Sequence, residues 1–299
     1  MLLQTRRSAS KVDLSFTPHY SNFTTESSIN QALRSGSVDL ALAGDNAAIF
    51  GRLQNNDTVI VGAFQRPRNF SQLVLAPGVR VDRLADLRGK RIACNPGSIA
   101  HLFILRTLAG AGVKPSEVTL IKIPGSGNSY FDAVRRGDVD VSPTNEPFTT
   151  ALAREGKVKL LPAALTGRFN SGQEFLLASR RSLRDPAKAA AIASYVAAYV
   201  QQLQWQNSHP EQWARAYLVG VAGLKTSEAL PLAREGVPYV FPRMNEKLVG
   251  QQQKNIDLLY DAKAIPERLD GTELFDLRFA PVIEAAVLRA GGSFADDSA

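Results

Sequence analysis

The sequence predicts an α/β protein built as two similar lobes. Strand-like and helix-like stretches alternate along the chain, which is the pattern of an α/β architecture. A helix end, a glycine and a strand recur with the same spacing, first as Ala32–Leu40 and again as Ala133–Val141. Each copy then runs into a polar loop carrying a carboxylate, Asp45 after Gly44 and Glu146 after Asn145.

Taken in order, Val12–Phe16 alternates apolar and polar residues and reads as a strand. Val38–Ala43, Val59–Phe64, Ser71–Leu75, Arg91–Cys94 and Thr119–Ile123 read as strands as well. Gly36 and Gly137 stand where a helix ends in the left-handed conformation that glycine adopts without penalty. Asp185-Pro186 opens a long helix, with Asp185 as the cap and Pro186 in the first turn. Ile192, Val196, Tyr199 and Leu203 form its apolar face. Ser208-His209-Pro210-Glu211 has the spacing of a capping box for the next helix. The tail after Gly291 is small and polar and is expected to fray.

The most informative segment is Gly97-Ser98-Ile99-Ala100-His101. It follows the strand Arg91–Cys94 and opens a helix-like run from Leu102. A strand, then Gly and Ser, then a helix start presents free backbone N–H groups to an anion. Gly97 permits close approach, and Ser98 can cap the helix or bond a ligand oxygen. His101 reads equally as an anion contact and as a capping or surface histidine. In open α/β sheets ligands sit beyond the carboxyl ends of strands. The loops there are Gly44–Ala47, Asn95–His101, Thr144–Phe148 and Gly125–Asn128. With two lobes, they are expected to face a cleft, which Tyr130, Phe148 and Phe169 can line.

The chain of 299 residues carries a net charge of +7 from 35 basic and 28 acidic side chains. The basic residues are scattered apart from Arg80, Arg83, Arg88, Lys90 and Arg91, which read as a solvated surface. No basic stripe with interleaved aromatics appears, so no nucleic-acid partner is expected. Cys94 is the only cysteine, and the three histidines are far apart, so no zinc site, disulfide or cofactor is expected. The first residues, with two arginines and no apolar run behind them, do not read as a signal peptide.

Several further stretches resemble the substrate-binding proteins of ABC transporters for aliphatic sulfonates, taurine and nitrate. They are Leu84–Ala93, Gly97–His101, Leu108–Val113, Ala133–Asp140, Asn145–Phe148, Glu174–Arg180 and Trp205–Glu211, followed by Asp257–Lys263 and Ile265–Glu267. The resemblance implies the type II periplasmic-binding-protein fold, with a mixed sheet flanked by helices in each lobe and a two-stranded hinge. Lobe one would comprise residues 1–77 and 174–299, and lobe two residues 78–173. It implies a receptor, likewise monomeric and periplasmic, that captures a small anion and hands it transiently to a membrane permease. The anion would be held by Gly97, Ser98, Ile99, Ala100 and His101. Gly44, Asp45 and Asn46 on the first lobe, and Asn145 and Glu146 on the second, would complete the site.

Two departures from that family stand out. A tryptophan is common just before the acid–proline pair, and here the position is Asn145, which points to a more polar or differently placed ligand tail. Family members also begin with a further strand and helix, so the first sheet is expected to have an unpaired edge. The alternative reading is an enzyme on the same fold, like an aromatic sulfinate desulfinase or a thiamine-pyrimidine synthase. Such an enzyme needs Cys94 or His101 aimed into the cleft, and the cysteine-rich motif of the synthases is absent. A ligand-sensing domain of a transcription regulator would need a helix-turn-helix portion that is not seen. A buried, inert thiol is the expected state of Cys94.

Overall fold

The computed structural model describes residues 14–23, 25–66, 71–123, 128–145, 149, 158–220 and 224–295. In chain order, helix α1 (Glu26–Ser35) leads to strand β1 (Leu40–Gly44), helix α2 (Ala47–Leu53), and strands β2 (Thr58–Gln65) and β3 (Ser71–Leu75). Strand β4 (Arg91–Cys94), helix α3 (Ile99–Gly110), strand β5 (Thr119–Lys122), helix α4 (Asn128–Arg136) and strand β6 (Val141–Asn145) follow. After β7 (Lys159–Leu160) and β8 (Gln173–Ser179) the chain is mostly helical: α5 (Pro186–Ser208), α6 (Thr226–Glu235), α7 (Glu246–Asp261) and α8 (Ala280–Arg289).

These elements form two compact units. The first comprises Met1–Pro67, Gln173–Gln253 and Asp270–Ala299, and the second Arg68–Gly172 and Lys254–Leu269. Strand β3, ahead of the expected boundary at Pro77, lies in the second unit's sheet, and the segment Lys254–Leu269 also belongs to that unit.

The first unit is built on a sheet of order β1-β8-β2, with β8 antiparallel to both neighbours. Among the described residues β1 pairs on one side only. Strand β2 is buried along nearly its whole length, with helices α2 and α8 packed near it. Its core is aromatic. Phe64 packs edge-on against Tyr199 at 4.9 Å and Phe241 at 6.1 Å, and Phe175 meets Phe275 at 5.9 Å. At the end of β2, Arg66 pairs with Glu174 of β8 at 2.7 Å. Helix α5 is capped as its sequence dictates: Asp185 accepts from the amides of Ala187 and Lys188, Pro186 fills the first turn, and Ile192, Val196, Tyr199 and Leu203 are buried.

The second unit holds a five-stranded sheet of order β5-β4-β6-β3-β7. Strands β5, β4 and β6 run parallel, and β3 is antiparallel to β6 and β7. The sequence explains its two-sided burial. In β3, Leu73 and Leu75 face the α3 side with Ile92, Cys94, Phe103, Ile104 and Leu108. The alternate residues Val74 and Ala93 face the α4 side with Tyr130, Ala133, Val134 and Val139.

Four expectations need correction. Leu14–Phe16 form no strand, and the rest of that stretch lies outside the described residues. Alternation over five residues is too short to act without a partner strand. Thr144 and Asn145 are not loop: they close β6, opposite Gln72 and Ser71, because the backbone partner on β3 outweighs their weak strand preference. The capping box at Ser208 does not form. Its hydroxyl donates back to the Gln204 carbonyl at 3.0 Å, and α5 runs on through it to leave His209 at the junction. The tail does not fray at Phe294, which is 2% exposed and bridges Phe241, with the Ala295 amide on the Phe241 carbonyl at 3.0 Å. One large apolar side chain anchors an otherwise polar end.

Candidate anion-binding loops

In the second unit the order of connection reverses at β4. Through α3 the chain reaches β5 on one side, and through α4 it returns to β6 on the other. The loop after β4 therefore opens at the point where helices diverge to opposite faces, where ligands sit in open parallel sheets. That loop is Asn95–Ser98.

Gly97 adopts a left-handed φ of 81°, which a side chain would strain. Ser98 is the N-cap of α3. Its hydroxyl donates to the Asn95 carbonyl at 2.7 Å and accepts from the His101 amide at 3.3 Å. The Ser98 amide also donates to Asn95, at 3.1 Å, and the Gly97 amide donates to His101 Nδ1 at 3.3 Å. Two amides remain, Ile99 and Ala100, which as first-turn groups have no intrahelical acceptor. They have no acceptor among the described residues. The first turn of α3 carries no acidic side chain to neutralise the positive end of its dipole. Among the described residues the loop offers backbone dipoles at a helix start, which suits an oxyanion held by backbone N–H groups.

Burial keeps His101, Cys94 and Tyr130 uncharged. Burial pushes His101 down to about 4, so the imidazole is neutral at physiological pH. It pushes the Cys94 thiol up to about 12, against a weak opposing pull from Lys122. Tyr130, buried in the α4 core, is raised to about 12, again chiefly by burial. A thiol held neutral and 1% exposed is no nucleophile. Phe169 packs against the α3 core and over Gly110.

Asn145, half-buried, ends β6 at the same sheet edge as the loop after β4, since the two strands are parallel neighbours. Glu146, Phe148 and residues 125–127 lie outside the described residues.

In the first unit, Gly44 ends β1, and Asp45 and Asn46 that follow are fully buried. Asn46 precedes α2 without capping it. Its amide instead donates to Glu26 Oε2 at 2.7 Å. The Gly44 amide bonds the same carboxyl. Glu26 Oε1 is shielded from water and lacks a hydrogen-bond partner. Burial raises this carboxyl to about 7, with the nearby Asp45 adding to the rise, while the bonds from Asn46 and Gly44 oppose it. Behind the loop, Gln252 of α7 donates to the Asp45 carbonyl, and Asn30 of α1 donates to the Ala47 carbonyl at 3.1 Å. Glu26 and Gln252 escape sequence reasoning because they reach the loop from 20 and 207 residues away. The one local signal is Thr25-Glu26, a good helix start, which says nothing of where the carboxyl points.

Arg83, Arg88 and Arg91 are paired with Asp86, Glu117 and Asp140 at 3.1, 3.0 and 2.8 Å, as a solvated surface would be.

Two α/β units with polar loops at their strand ends define a periplasmic binding protein, and comparison with solved structures bears out that fold. The family described as ABC transporter, phosphonate, periplasmic substrate-binding protein matches residues 12–190, and this chain belongs to it. The crystal structure of the periplasmic aliphatic sulphonate binding protein SsuA from Escherichia coli superposes with a TM-score of 0.72 at 24% identity, covering 85% of this chain and 80% of that one. The alkanesulfonate-binding protein SsuA from Xanthomonas axonopodis pv. citri, bound to MOPS, gives 0.72 at 25% identity over 85% of this chain and 86% of that one. By sequence, the taurine-binding periplasmic protein of Escherichia coli (strain K12) is 28% identical over 48% of this chain and 43% of its own length. A desulfurization enzyme shares the fold with a TM-score of 0.58 at 14% identity, covering 84% of this chain and 85% of its own. That likeness is one of fold alone, and the chain's family is one of binding proteins, not enzymes.

Proposed function

We propose that this protein is the receptor for a small organic oxyanion, a sulfonate or the closely similar phosphonate head, and that it delivers this ligand to an ABC importer. The observation that carries the reading is the pair of uncommitted amides, Ile99 and Ala100, at the start of a helix with no acid in its first turn. The relatives named for sulfonate and taurine binding support the same class. Charge-assisted hydrogen bonds to an oxyanion contribute about 1.5–3 kcal/mol each, so a few of them account for micromolar affinity. The Ser98 hydroxyl, whose one proton goes to the Asn95 carbonyl, caps α3 and fixes the loop that presents those amides. Gly44, Asp45, Asn46, Asn145 and Glu146 are the remaining candidates for ligand contact. The receptor works as a monomer outside the cytoplasm and meets its permease only transiently.

The test is a thermal-shift screen of alkanesulfonates, alkylphosphonates, nitrate and carboxylates. A ligand at about one hundred times its dissociation constant adds about 2.7 kcal/mol of stability. A shift with sulfonates or phosphonates that disappears in the Gly97→Val, Ser98→Ala double variant supports the reading. No shift with any of them refutes it.

A further inference from the structure

We propose that His101 is a positioning residue: its neutral imidazole holds the Gly97 amide, and with it the turn that presents the Ile99 and Ala100 amides, and it does not meet the ligand as a cation. The inference deepens the receptor reading and rests on it for the role of those amides.

The Gly97 N–H donates to His101 Nδ1 at 3.3 Å. An imidazole nitrogen that accepts carries no proton, so the hydrogen of this ring resides on Nε2. A protonated imidazole has two N–H donors and no acceptor. The bond to Gly97 and a cationic contact to an anion are therefore mutually exclusive. Three further observations favour the bond. His101 is only 6% exposed, so ionising it would bury a charge. It lies in the first turn of α3, where the helix dipole opposes a positive side chain. Burial alone acts on the ring's charge, with no charged group among the described residues acting on it to stabilise an imidazolium.

Holding this amide matters because Gly97 is the residue with the freest backbone in the loop. At a φ of 81° it turns the chain from β4 into α3. Left unheld, it would have to be ordered when ligand arrives, at a cost in affinity. His101 also donates its own amide to the Ser98 hydroxyl, so ring and backbone of one residue brace both ends of the Gly97–Ser98 step.

The test uses the full chain with two variants. In His101→Asn the side-chain oxygen stands close to where Nδ1 was and can accept from Gly97; in His101→Leu nothing can. In the ligand-free protein, imidazole ¹⁵N shifts should show Nδ1 unprotonated from pH 5.5 to 8. Hydrogen exchange at the Gly97 amide should be slow in the wild type and in His101→Asn, and at least about tenfold faster in His101→Leu, the loss expected when one hydrogen bond is removed. Ethanesulfonate, whose charge is constant over this range, should bind with an affinity flat within about twofold from pH 5.5 to 8. It should bind about tenfold more weakly to His101→Leu and within about threefold of wild type to His101→Asn. The proposal is overturned by a protonated Nδ1, by affinity that falls as pH rises through the histidine range, or by His101→Asn being as damaging as His101→Leu. If ethanesulfonate and methylphosphonate both fail to bind the wild type, the receptor reading fails, while the ¹⁵N shifts and the exchange rates still decide the role of His101.

Discussion

Replacing Glu26 with glutamine should make the protein more stable at alkaline pH. The carboxyl sits behind the Gly44–Asn46 loop, with one oxygen bonded to Asn46 at 2.7 Å and the other shielded and unpartnered. Burial raises it from its ordinary 4.5 to about 7. That rise corresponds to about 3 kcal/mol, since one pH unit is worth about 1.4 kcal/mol. The direction follows from linkage. Below pH 4.5 the carboxyl is protonated in both folded and unfolded chains and has no effect. Between 4.5 and 7 the unfolded chain ionises freely while the folded one holds its proton, so stability declines with rising pH. Above pH 7 the full cost of about 3 kcal/mol is present. Glutamine is neutral throughout, is nearly the same shape as the protonated acid, and offers Asn46 the same kind of oxygen. Urea denaturation at pH 5 and pH 8 measures the effect. Glu26→Gln should exceed wild type by no more than about 1 kcal/mol at pH 5 and by up to about 3 kcal/mol at pH 8. Equal declines in both proteins, or a glutamine variant less stable at pH 8, would refute the reasoning and place the ionised carboxylate in a satisfied environment.

Other predictions concern neighbouring residues. Ser98→Ala removes the N-cap of α3 and should cost about 1 kcal/mol of stability, measured by denaturant titration, as well as weakening oxyanion binding. Gln252→Ala leaves the carbonyl of fully buried Asp45 without its α7 donor and should cost about 1–3 kcal/mol, with the loss visible as faster exchange around Asn46. The Cys94 thiol, pushed up to about 12, should resist a disulfide reagent at pH 8 in the native protein and react promptly once unfolded. Cys94→Ser should leave ligand affinity unchanged, and a loss of binding would reopen a chemical role for the thiol.

Much of this protein was legible in the sequence, because the relevant forces are local. Asp185-Pro186 caps α5 whatever surrounds it. Gly36 and Gly137, both at a φ of 75°, end their helices because only glycine turns there without strain. The strand–Gly–Ser–helix step at Cys94–Ile99 is likewise written in consecutive residues. What the sequence left open depended on partners far along the chain. Thr144 and Asn145 are strand because β3 pairs with them, and Phe294 is anchored because Phe241 lies beside it. His101 is neutral because the turn before it and the core around it leave its ring no room for a charge. Glu26 and Gln252 join the first unit's loop from separate helices. Hydrophobic period, caps and glycine turns act over a few residues and can be read in order. Burial, and the charge state it imposes, belongs to the assembled tertiary structure, and there alone the loop after β4 acquired its buried, neutral histidine.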